Sequence, residues 1–257
     1  MQLNEEYNPP SGVRGGARSM KAMIFAAGLG TRLKPWTDHH PKALAIVNGK
    51  SLLQRNIEYL QLVGIKNVIV NVHHFANQII DAIEINNGWG SNITISDETD
   101  VVLETGGGLK KAAWFFEGEK DFVVMNVDML TDMNLGDMIA QHQQKKAFAT
   151  LAVTERTTSR YFLFNSNNRL CGWRNKNTGD EKIVLKDELL FEKAFSGIHV
   201  IGSEIFSAMK QDGKFSMVDV YLSLATENTI ECYDHTNTKL LDVGKPESII
   251  KAETLFL

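Results

Sequence analysis

The stretch KAMIFAAGLGTRLKPWTDHHPK, residues 21–42, joins a short apolar run to a turn that holds Gly28 and Gly30. The run predicts a buried strand, and a glycine-rich turn behind such a strand presents backbone N–H groups to an anion. Arg32 and Lys42 follow the glycines. A triphosphate requires this combination, because amides match its shape and two cations neutralise its charge. The alternative is a tight turn without a ligand, which a lone glycine pair also fits.

A dinucleotide-binding turn is disfavoured by two positions. That motif requires a third glycine and, about 20 residues further on, a carboxylate that binds the ribose. Leu33 stands where the third glycine belongs, and the next predicted strand ends near Asn71 without a carboxylate. These two positions argue against a dehydrogenase, and Asn71 is interpreted as a cap of its own turn.

Composition narrows the class of protein further. The chain has 257 residues and a net charge of −4, so it has neither the basic surface expected of a nucleic-acid-binding protein nor a polybasic membrane patch. No stretch approaches the roughly 20 apolar residues of a membrane span. Cys171 and Cys232 are too few for a disulfide framework or a metal-binding knuckle, which favours a reducing cytoplasm.

The first 19 residues, MQLNEEYNPPSGVRGGARS, are rich in Pro, Gly and polar residues. They lack the apolar centre of a signal peptide, and we expect a flexible N-terminal extension, with Met20 as an alternative start. The remaining residues, 20–257, are expected to form one domain. The sequence does not indicate an oligomeric state.

Apolar runs alternate with helical patterns through the first half of the chain, as in βαβ units. Strands are predicted at KAMIFA (21–26), NVIVNV (67–72), NITISD (92–97) and DFVVMNVD (121–128), and helices behind a Ser51 cap, at FANQIIDAIEI (75–85) and at GGLKKAAWFF (107–116), which glycines would open. After about residue 148, shorter strands follow, RNKNTGDEK (174–182) reads as a surface loop, and helices are predicted at MVDVYLSLATEN (217–228) and from Pro246. We predict an α/β fold with a Rossmann-like, mixed and mostly parallel sheet flanked by helices.

Four later stretches complete a recognisable set. They are LETGGGLKKA (103–112), VMNVDML (124–130), AFSGIHV (194–200) and LLDVGKPESI (240–249). Together with AAGLGTRLKPWTDHHPKAL (26–44), they resemble the motifs of the sugar-1-phosphate nucleotidyltransferases, in the family's order and from Met20 to the C-terminus. The resemblance implies that a sugar 1-phosphate oxygen attacks the α-phosphorus of a nucleoside triphosphate and releases pyrophosphate.

The resemblance also implies the residues of the site. Nucleotide binding falls on Ala27, Gly28, Gly30, Thr31, Arg32, Glu98, Leu103, Thr105 and Gly106. Arg32 would neutralise the leaving pyrophosphate and Lys42 the reacting phosphate. Asp128 and Asp242, each predicted at a strand end, would hold Mg²⁺ against the α-phosphate, since Mg²⁺ prefers one or two carboxylates plus phosphate oxygens.

Two departures from the family pattern are visible. Val127 stands before Asp128, where the family often has glycine, and this narrows the backbone approach to the metal. The acceptor-side E-K-P lysine is not evident, so Arg174 or Lys176 is a candidate substitute, or else a charged residue of a solvated loop. On the acceptor side, Asp132, Gly197 and Asp219 are expected to bind substrate, and Trp173 is a stacking candidate.

Base and sugar remain open at this point. By resemblance, SDETDVVLETGG (96–107) lies against the base, with Asp97 or Glu98 and the backbone near Leu103 as candidate readers of uracil or guanine. The LETGGG and FSGI segments look most like N-acetylmuramic acid 1-phosphate uridylyltransferases. Mannose- or heptose-1-phosphate guanylyltransferases are the nearest rivals, and a non-catalytic nucleotide-sugar sensor is the alternative of another class. The paired histidines at 39–40 and 73–74 are interpreted as loop or surface residues.

Overall fold

The structure is a computed structural model that describes residues 20–256; the expected N-terminal extension, residues 1–19, lies outside this range. Its strands are β1 (Lys21–Phe25), β2 (Ile46–Val47), β3 (Lys50–Ser51), β4 (Asn67–Val72), β5 (Asn92–Asp97), β6 (Asp121–Asn126), β7 (Met129–Thr131), β8 (Ala149–Thr154), β9 (Arg160–Phe164), β10 (Leu170–Asn175), β11 (Glu181–Ile183), β12 (Phe191–Gly202), β13 (Ile230–Asp234) and β14 (Leu240–Asp242). The α-helices are α1 (Leu52–Gln61), α2 (Ala76–Ile85), α3 (Glu104–Lys111), α4 (Leu135–Lys145), α5 (Ile205–Ala208), α6 (Met217–Leu224) and α7 (Pro246–Leu255). Within these residues no helix is both long and apolar enough to cross a membrane.

Ten strands form one twisted sheet in the order β11-β10-β9-β12-β6-β1-β4-β5, with β8 paired to β12 and β13 paired to β8. The pairs β1–β4, β1–β6, β4–β5 and β8–β13 are parallel, and the pairs made by β12 and β10 are antiparallel. In this sheet, as far as the structure describes it, β10 and β12 are the two strands antiparallel to the other eight. The predicted mixed, mostly parallel α/β sheet is therefore confirmed.

Both faces of the sheet are covered, as its central strands require. Along β1, Ala22 and Ile24 pack into one apolar cluster, while Met23 and Phe25 pack into the cluster on the opposite face. This is the two-sided burial expected of a parallel strand, where successive side chains point to opposite faces. Helices α1, α2, α4 and α7 cover the first face, and α3, α5 and α6 cover the second.

Local signals placed several elements correctly. The strand over 67–72 and the helix that begins at Pro246 have the predicted starts, and the Ser51 hydroxyl accepts a hydrogen bond from the backbone N–H of Gln54 at 3.1 Å. A serine at this position satisfies one of the free N–H groups of the first helical turn.

Two predictions were wrong, the second of them only at its ends. The glycines at 106–108 do not open a helix at 107; α3 begins at Glu104 and the glycines lie inside it, packed too tightly for side chains. The segment 174–182, predicted as a surface loop, is a loop only over residues 176–180, because its two ends belong to β10 and β11 and Arg174 pairs with Glu181 across this hairpin. Charged composition gave the loop interpretation, and strand pairing overrode it at both ends.

The parallel strands determine where the site forms. The carboxyl ends of β1, β4, β5 and β6 meet at one edge of the sheet, because these four neighbours run in the same direction. Ligands of open α/β sheets bind in the crevice at this edge. The glycine turn after β1, Asn71 in β4, Glu98 after β5 and the 126–128 segment at the end of β6 all lie there.

Candidate active site

The turn after β1 is shaped by Gly30. Its φ of 62° is left-handed, and its carbonyl accepts hydrogen bonds from the Leu33 N–H at 2.8 Å and the Thr37 hydroxyl at 2.9 Å. A Cβ at this position would lie 3.0 Å from Cβ of Lys42 and 2.9 Å from the Thr37 methyl group. Glycine is therefore required here both for the backbone conformation and for the close approach of Lys42.

Lys42 and Arg32 are each paired with a carboxylate that the sequence also selected. The Lys42 ammonium contacts Asp128, and both groups are largely buried, with 10% and 20% of the side chains exposed. The Arg32 guanidinium lies 3.4 Å from an oxygen of Asp242. Each cation thus pairs with a carboxylate that lies far from it in the chain.

The two carboxylates are brought together by strand pairing. β7 and β14 are antiparallel, and the Val243 N–H donates to the Asp128 carbonyl at 2.8 Å. Asp242 ends β14 as predicted, whereas Asp128 lies in the turn between β6 and β7 rather than at a strand end. The turn still delivers its carboxylate to the same edge of the sheet.

Arg32, Lys42 and Asp128 line a cavity of about 460 Å³, whereas Asp242, which pairs with Arg32, is not one of its lining residues. Of the predicted residues, it is lined by Ala27, Gly28, Gly30, Thr31, Arg32, Lys42, Glu98, Thr105 and Asp128. Asn71, Asn126 and Gly244 also line it, although the sequence did not single them out as site residues, and so do Val102 and Glu104 of the segment 96–107 that was expected against the base. A volume of this size suits a small-molecule ligand.

Asn71 ties the glycine turn to Glu98. Its side-chain oxygen accepts from the Ala26 N–H at 2.7 Å and from the Ala27 N–H at 3.4 Å, and its amide donates to Oε1 of Glu98 at 2.8 Å. Both side chains are buried, at 3% and 1% exposure. Asn71 is therefore not a cap of its own turn, which corrects the interpretation from the sequence.

The second loop lies beside Glu98. Oε2 of Glu98 accepts from the Leu103 N–H at 3.3 Å, and the Leu103 carbonyl accepts from the Phe215 N–H at 3.2 Å, so both backbone groups of Leu103 are engaged. The Gly106 N–H donates to the Phe215 carbonyl at 2.9 Å. Leu103 and Gly106 do not line the cavity; they hold Thr105 at its wall.

Asp97 lies outside the cavity. Its side chain is exposed and accepts a hydrogen bond from the Thr99 N–H at 2.8 Å, which lowers the pKa of this carboxyl group. Of the two acidic candidates for base reading, the structure places Glu98 in the cavity.

Gly197 does not line the cavity, but it packs against Asn126, which does. Gly197 lies in a bulge of β12 with a φ of 72°, and a Cβ there would be 2.7 Å from the amide nitrogen of Asn126. Asn126 was missed because β6 was predicted to extend through it to Asp128. An amide at the carboxyl end of a central strand was the available signal.

Asp132 and Asp219, the other two acceptor-side candidates, make structural contacts outside the cavity. Asp132 accepts from the Lys239 N–H at 2.7 Å. Asp219 caps α6 together with Ser216, whose hydroxyl donates to it at 2.8 Å and lowers the pKa of the carboxyl group. It also pairs with Lys182 at 3.2 Å.

The candidate substitutes for the family lysine are engaged in a surface network. Arg174 pairs with Glu181 and Glu192, and hydrogen bonding to Glu192 and Glu181 raises the pKa of the guanidinium. Lys176 contacts Glu192 at 2.5 Å. Trp173 packs at the edge of the apolar cluster on the α6 side of the sheet.

Comparison with known proteins agrees with this arrangement. The family model described as "Nucleotidyl transferase" matches residues 21–257. The chain is 31% identical to the N-acetylmuramate alpha-1-phosphate uridylyltransferase of Caulobacter vibrioides, over 90% of this chain and 95% of the relative, and 28% identical to the enzyme of that name from Neisseria meningitidis, over 92% and 98%. The Mannose-1-phosphate guanyltransferase of Yarrowia lipolytica is 25% identical over 93% of this chain and 64% of its own length.

A solved structure shares the fold. HddC from Yersinia pseudotuberculosis, complexed with GMP-PN, superposes with a TM-score of 0.74 and 24% identity, covering 93% of this chain and 100% of that chain. Together with the family model and the relatives, this fold leads to one conclusion. The chain belongs to the nucleotidyl transferase family and is a sugar-1-phosphate nucleotidyltransferase.

Proposed function

We propose that this enzyme couples UTP to N-acetylmuramic acid 1-phosphate and releases pyrophosphate. The observation that carries the proposal is the end-to-end match to two relatives of that activity, 95% and 98% of whose lengths are covered. The chain spans only 64% of the guanyltransferase relative. In the reaction, an acceptor phosphate oxygen forms a bond to the α-phosphorus, the α–β phosphoanhydride bond breaks, and pyrophosphate leaves with the electron pair.

Three groups of residues supply the positioning and charge that this transfer needs. The N–H groups of the Gly28–Thr31 turn bind phosphate oxygens, and Arg32 neutralises the leaving pyrophosphate. Lys42 neutralises the reacting phosphate. Lys42 is preorganised, because its largely buried ion pair with Asp128 holds it at the cavity before phosphate arrives, and Arg32 lies at the cavity wall beside Asp242.

Asp128 and Asp242 are proposed to hold Mg²⁺. The donors fit: Oδ1 of Asp242 is buried and has no hydrogen-bond partner among the described residues, and a Cβ at Gly244 would lie 2.6 Å from it. Within residues 20–256, no group of three or more His, Cys, Asp or Glu side chains is placed to hold a metal ion, so phosphate oxygens and water would have to supply the other ligands. When bound there, Mg²⁺ supplies charge stabilisation at the α-phosphate and orients it for in-line attack.

The base is proposed to bind at the Asn71–Glu98 end of the cavity. Each carboxylate oxygen of Glu98 receives one hydrogen bond from the protein and retains a second acceptor site. A ring N–H of the base can use it. The site is buried, so a base without a matching N–H would leave the carboxylate unsatisfied and bind more weakly.

The acceptor is proposed to approach along Asn126 and Gly197, which are in contact with each other at the cavity. The cellular setting is proposed to be the cytoplasm, where the enzyme would serve nucleotide-sugar synthesis in peptidoglycan recycling. Cys171 and Cys232 are both free and buried, and burial raises the pKa of Cys232 to about 12, which keeps its thiol protonated. Neither nucleic acid nor membrane is a proposed partner.

A panel of four nucleoside triphosphates against several sugar 1-phosphates, read by pyrophosphate release, tests the assignment. We expect UTP with N-acetylmuramic acid 1-phosphate to give the highest kcat/KM. Preference for GTP with mannose or heptose 1-phosphate would replace the uridylyl assignment with the guanylyl alternative. Binding of nucleotide sugars without pyrophosphate release from any pair would support the sensor alternative.

A further inference from the structure

Glu104 adopts a backbone conformation that its residue type disfavours. Its φ is 59°, in the left-handed region where a side chain crowds the backbone and glycine does not. Seven non-glycine residues within 20–256 have positive φ, and Glu104 is the one of them that lines the cavity. Backbone strain of this kind persists at binding sites when the side chain is needed there.

The neighbouring positions make the choice of glutamate informative. A Cβ at Gly107 would lie 2.2 Å from the Gly213 carbonyl oxygen, and one at Gly106 would lie 2.4 Å from the Phe215 ring. The loop therefore has glycine where packing demands it. At 104, where the backbone conformation favours glycine, it has a charged side chain.

No structural contact accounts for that side chain. The Glu104 carboxylate is 47% exposed and accepts no hydrogen bond from the described residues; the nearest cation, Lys214, lies 3.6 Å away and is 59% exposed. An exposed ion pair at this distance contributes little to stability. The packing between α3 and the 213–215 segment is made instead by backbone hydrogen bonds to Phe215.

The charged residues that line the cavity limit which part of a substrate the Glu104 carboxylate can bind. Arg32 and Lys42 line the cavity where the phosphates bind, and an acidic group would repel phosphate. Glu98 and Asn71 occupy the base end. The neutral, hydroxyl-bearing part of a substrate remains, and a carboxylate is an acceptor that hydroxyl groups of a sugar ring can satisfy.

We propose that Glu104 is a specificity-determining residue whose carboxylate accepts hydrogen bonds from sugar hydroxyl groups in the cavity. Those hydroxyls belong either to the ribose of the nucleotide or to the acceptor sugar. The inference rests on the proposed transferase reaction, but not on which base or sugar it uses. It is therefore tested with whichever substrate pair the panel above selects.

The test compares Glu104→Gly, Glu104→Gln and Lys214→Ala by steady-state kinetics and thermal melting. Glu104→Gly relieves the backbone strain, so its melting temperature should equal or exceed that of the wild type. Its kcat/KM should fall at least tenfold, because a hydrogen bond to a charged group is lost. Glu104→Gln keeps the size of the side chain and should lose activity partially, and Lys214→Ala should keep wild-type kinetics.

Two substrate comparisons identify the source of the hydroxyls. If the ribose supplies them, the wild type discriminates against the 2′-deoxy and 3′-deoxy nucleoside triphosphates, and Glu104→Gly does not. If the acceptor supplies them, Glu104→Gly raises the KM of the sugar 1-phosphate and leaves the discrimination against deoxynucleotides unchanged.

Three results would overturn the proposal. One is wild-type kcat/KM for both substrates in Glu104→Gly. Another is a loss of activity in Lys214→Ala that matches the loss in Glu104→Gly, since the ion pair would then be the functional element. The third is a marked fall in the melting temperature of Glu104→Gly, which would assign the side chain a structural role. Failure of the uridylyl assignment appears separately, as a different best substrate in the panel.

Discussion

Replacing Asn71 with alanine should lower both the free energy of unfolding and the affinity for the nucleoside triphosphate, because Asn71 connects the glycine turn to Glu98. The substitution leaves the Ala26 N–H and one oxygen of Glu98 without their partners at 2.7 and 2.8 Å. Each buried group left unsatisfied costs about 1–3 kcal/mol. Both groups lie at the wall of the cavity, where water can reach them, so we expect the lower end of this range for each. The two groups together should then lower the free energy of unfolding by roughly 2 kcal/mol.

Thermal melting and steady-state kinetics measure the two consequences. For a domain of this size, roughly 2 kcal/mol corresponds to a fall of about 4–8 °C in the melting temperature. The KM for the nucleoside triphosphate should rise about tenfold or more, since Asn71 fixes both the Ala26–Ala27 backbone and Glu98, with a smaller change in the KM of the sugar 1-phosphate. Asn92→Ala, an exposed amide on the neighbouring strand, is the matched control and should leave both KM values unchanged.

Asn71→Asp sharpens the test through pH. It places a second carboxylate against Glu98, so the pKa of one of the two is raised in the folded state. A raised folded-state pKa means that protonation stabilises the fold. The free energy of unfolding of this variant should therefore be closest to the wild-type value at low pH and furthest below it once pH rises above the raised pKa. A wild-type melting temperature and nucleotide KM in Asn71→Ala would refute the idea that Asn71 holds the glycine turn and Glu98 together.

Three further expectations follow from named contacts. Arg32→Ala should lower kcat on the order of 10²-fold and weaken triphosphate binding less. The control is Arg160→Ala, which removes an exposed arginine at the start of β9. Equal losses in kcat and in triphosphate affinity would mean that Arg32 only binds the ground state. Burial lowers the pKa of His199 to about 3, so the unfolded chain binds more protons than the folded chain below about pH 6.5. The free energy of unfolding should therefore fall as pH is lowered from about 6.5. In denaturant titrations at several pH values, His199→Asn should reduce this pH dependence, and an unchanged pH dependence would contradict the role of His199. Gly107→Ala should lower the melting temperature by several degrees, because its Cβ would meet the Gly213 carbonyl at 2.2 Å, and an unchanged melting curve would mean that α3 shifts freely.

Sequence patterns predicted the part of the fold that local burial determines. The runs at 67–72 and 92–97 are strands with the predicted bounds, the first buried and the second a mostly half-buried edge strand. The buried run at 67–72 was predictable because a parallel strand covered on both faces needs a continuous apolar stretch. Ser51 marked a helix start through a hydrogen bond that spans three residues. Signals of such short range are readable without tertiary structure.

Contacts between distant residues set the limits of that reading. Asn71 was interpreted as a local cap, yet its partners are Ala26 and Ala27 in the turn after β1, and Glu98. The glycines at 106–108 read as a helix start because their reason, the packing against residues 213–215, lies about a hundred residues away in the chain. Arg32 and Asp242 were brought together only by the family motifs, since no local pattern links them.

The most direct measurement compares wild type and Asp128→Asn with the best substrate pair in Mg²⁺, following pyrophosphate release and the nucleotide sugar in the same samples. Asparagine keeps the volume of the side chain and an oxygen that can accept from Lys42, so the melting temperature should change little. The account predicts equimolar products from the wild type and turnover lower by at least about 10²-fold in the variant. Near wild-type turnover in Asp128→Asn, with an intact melting curve, would contradict it.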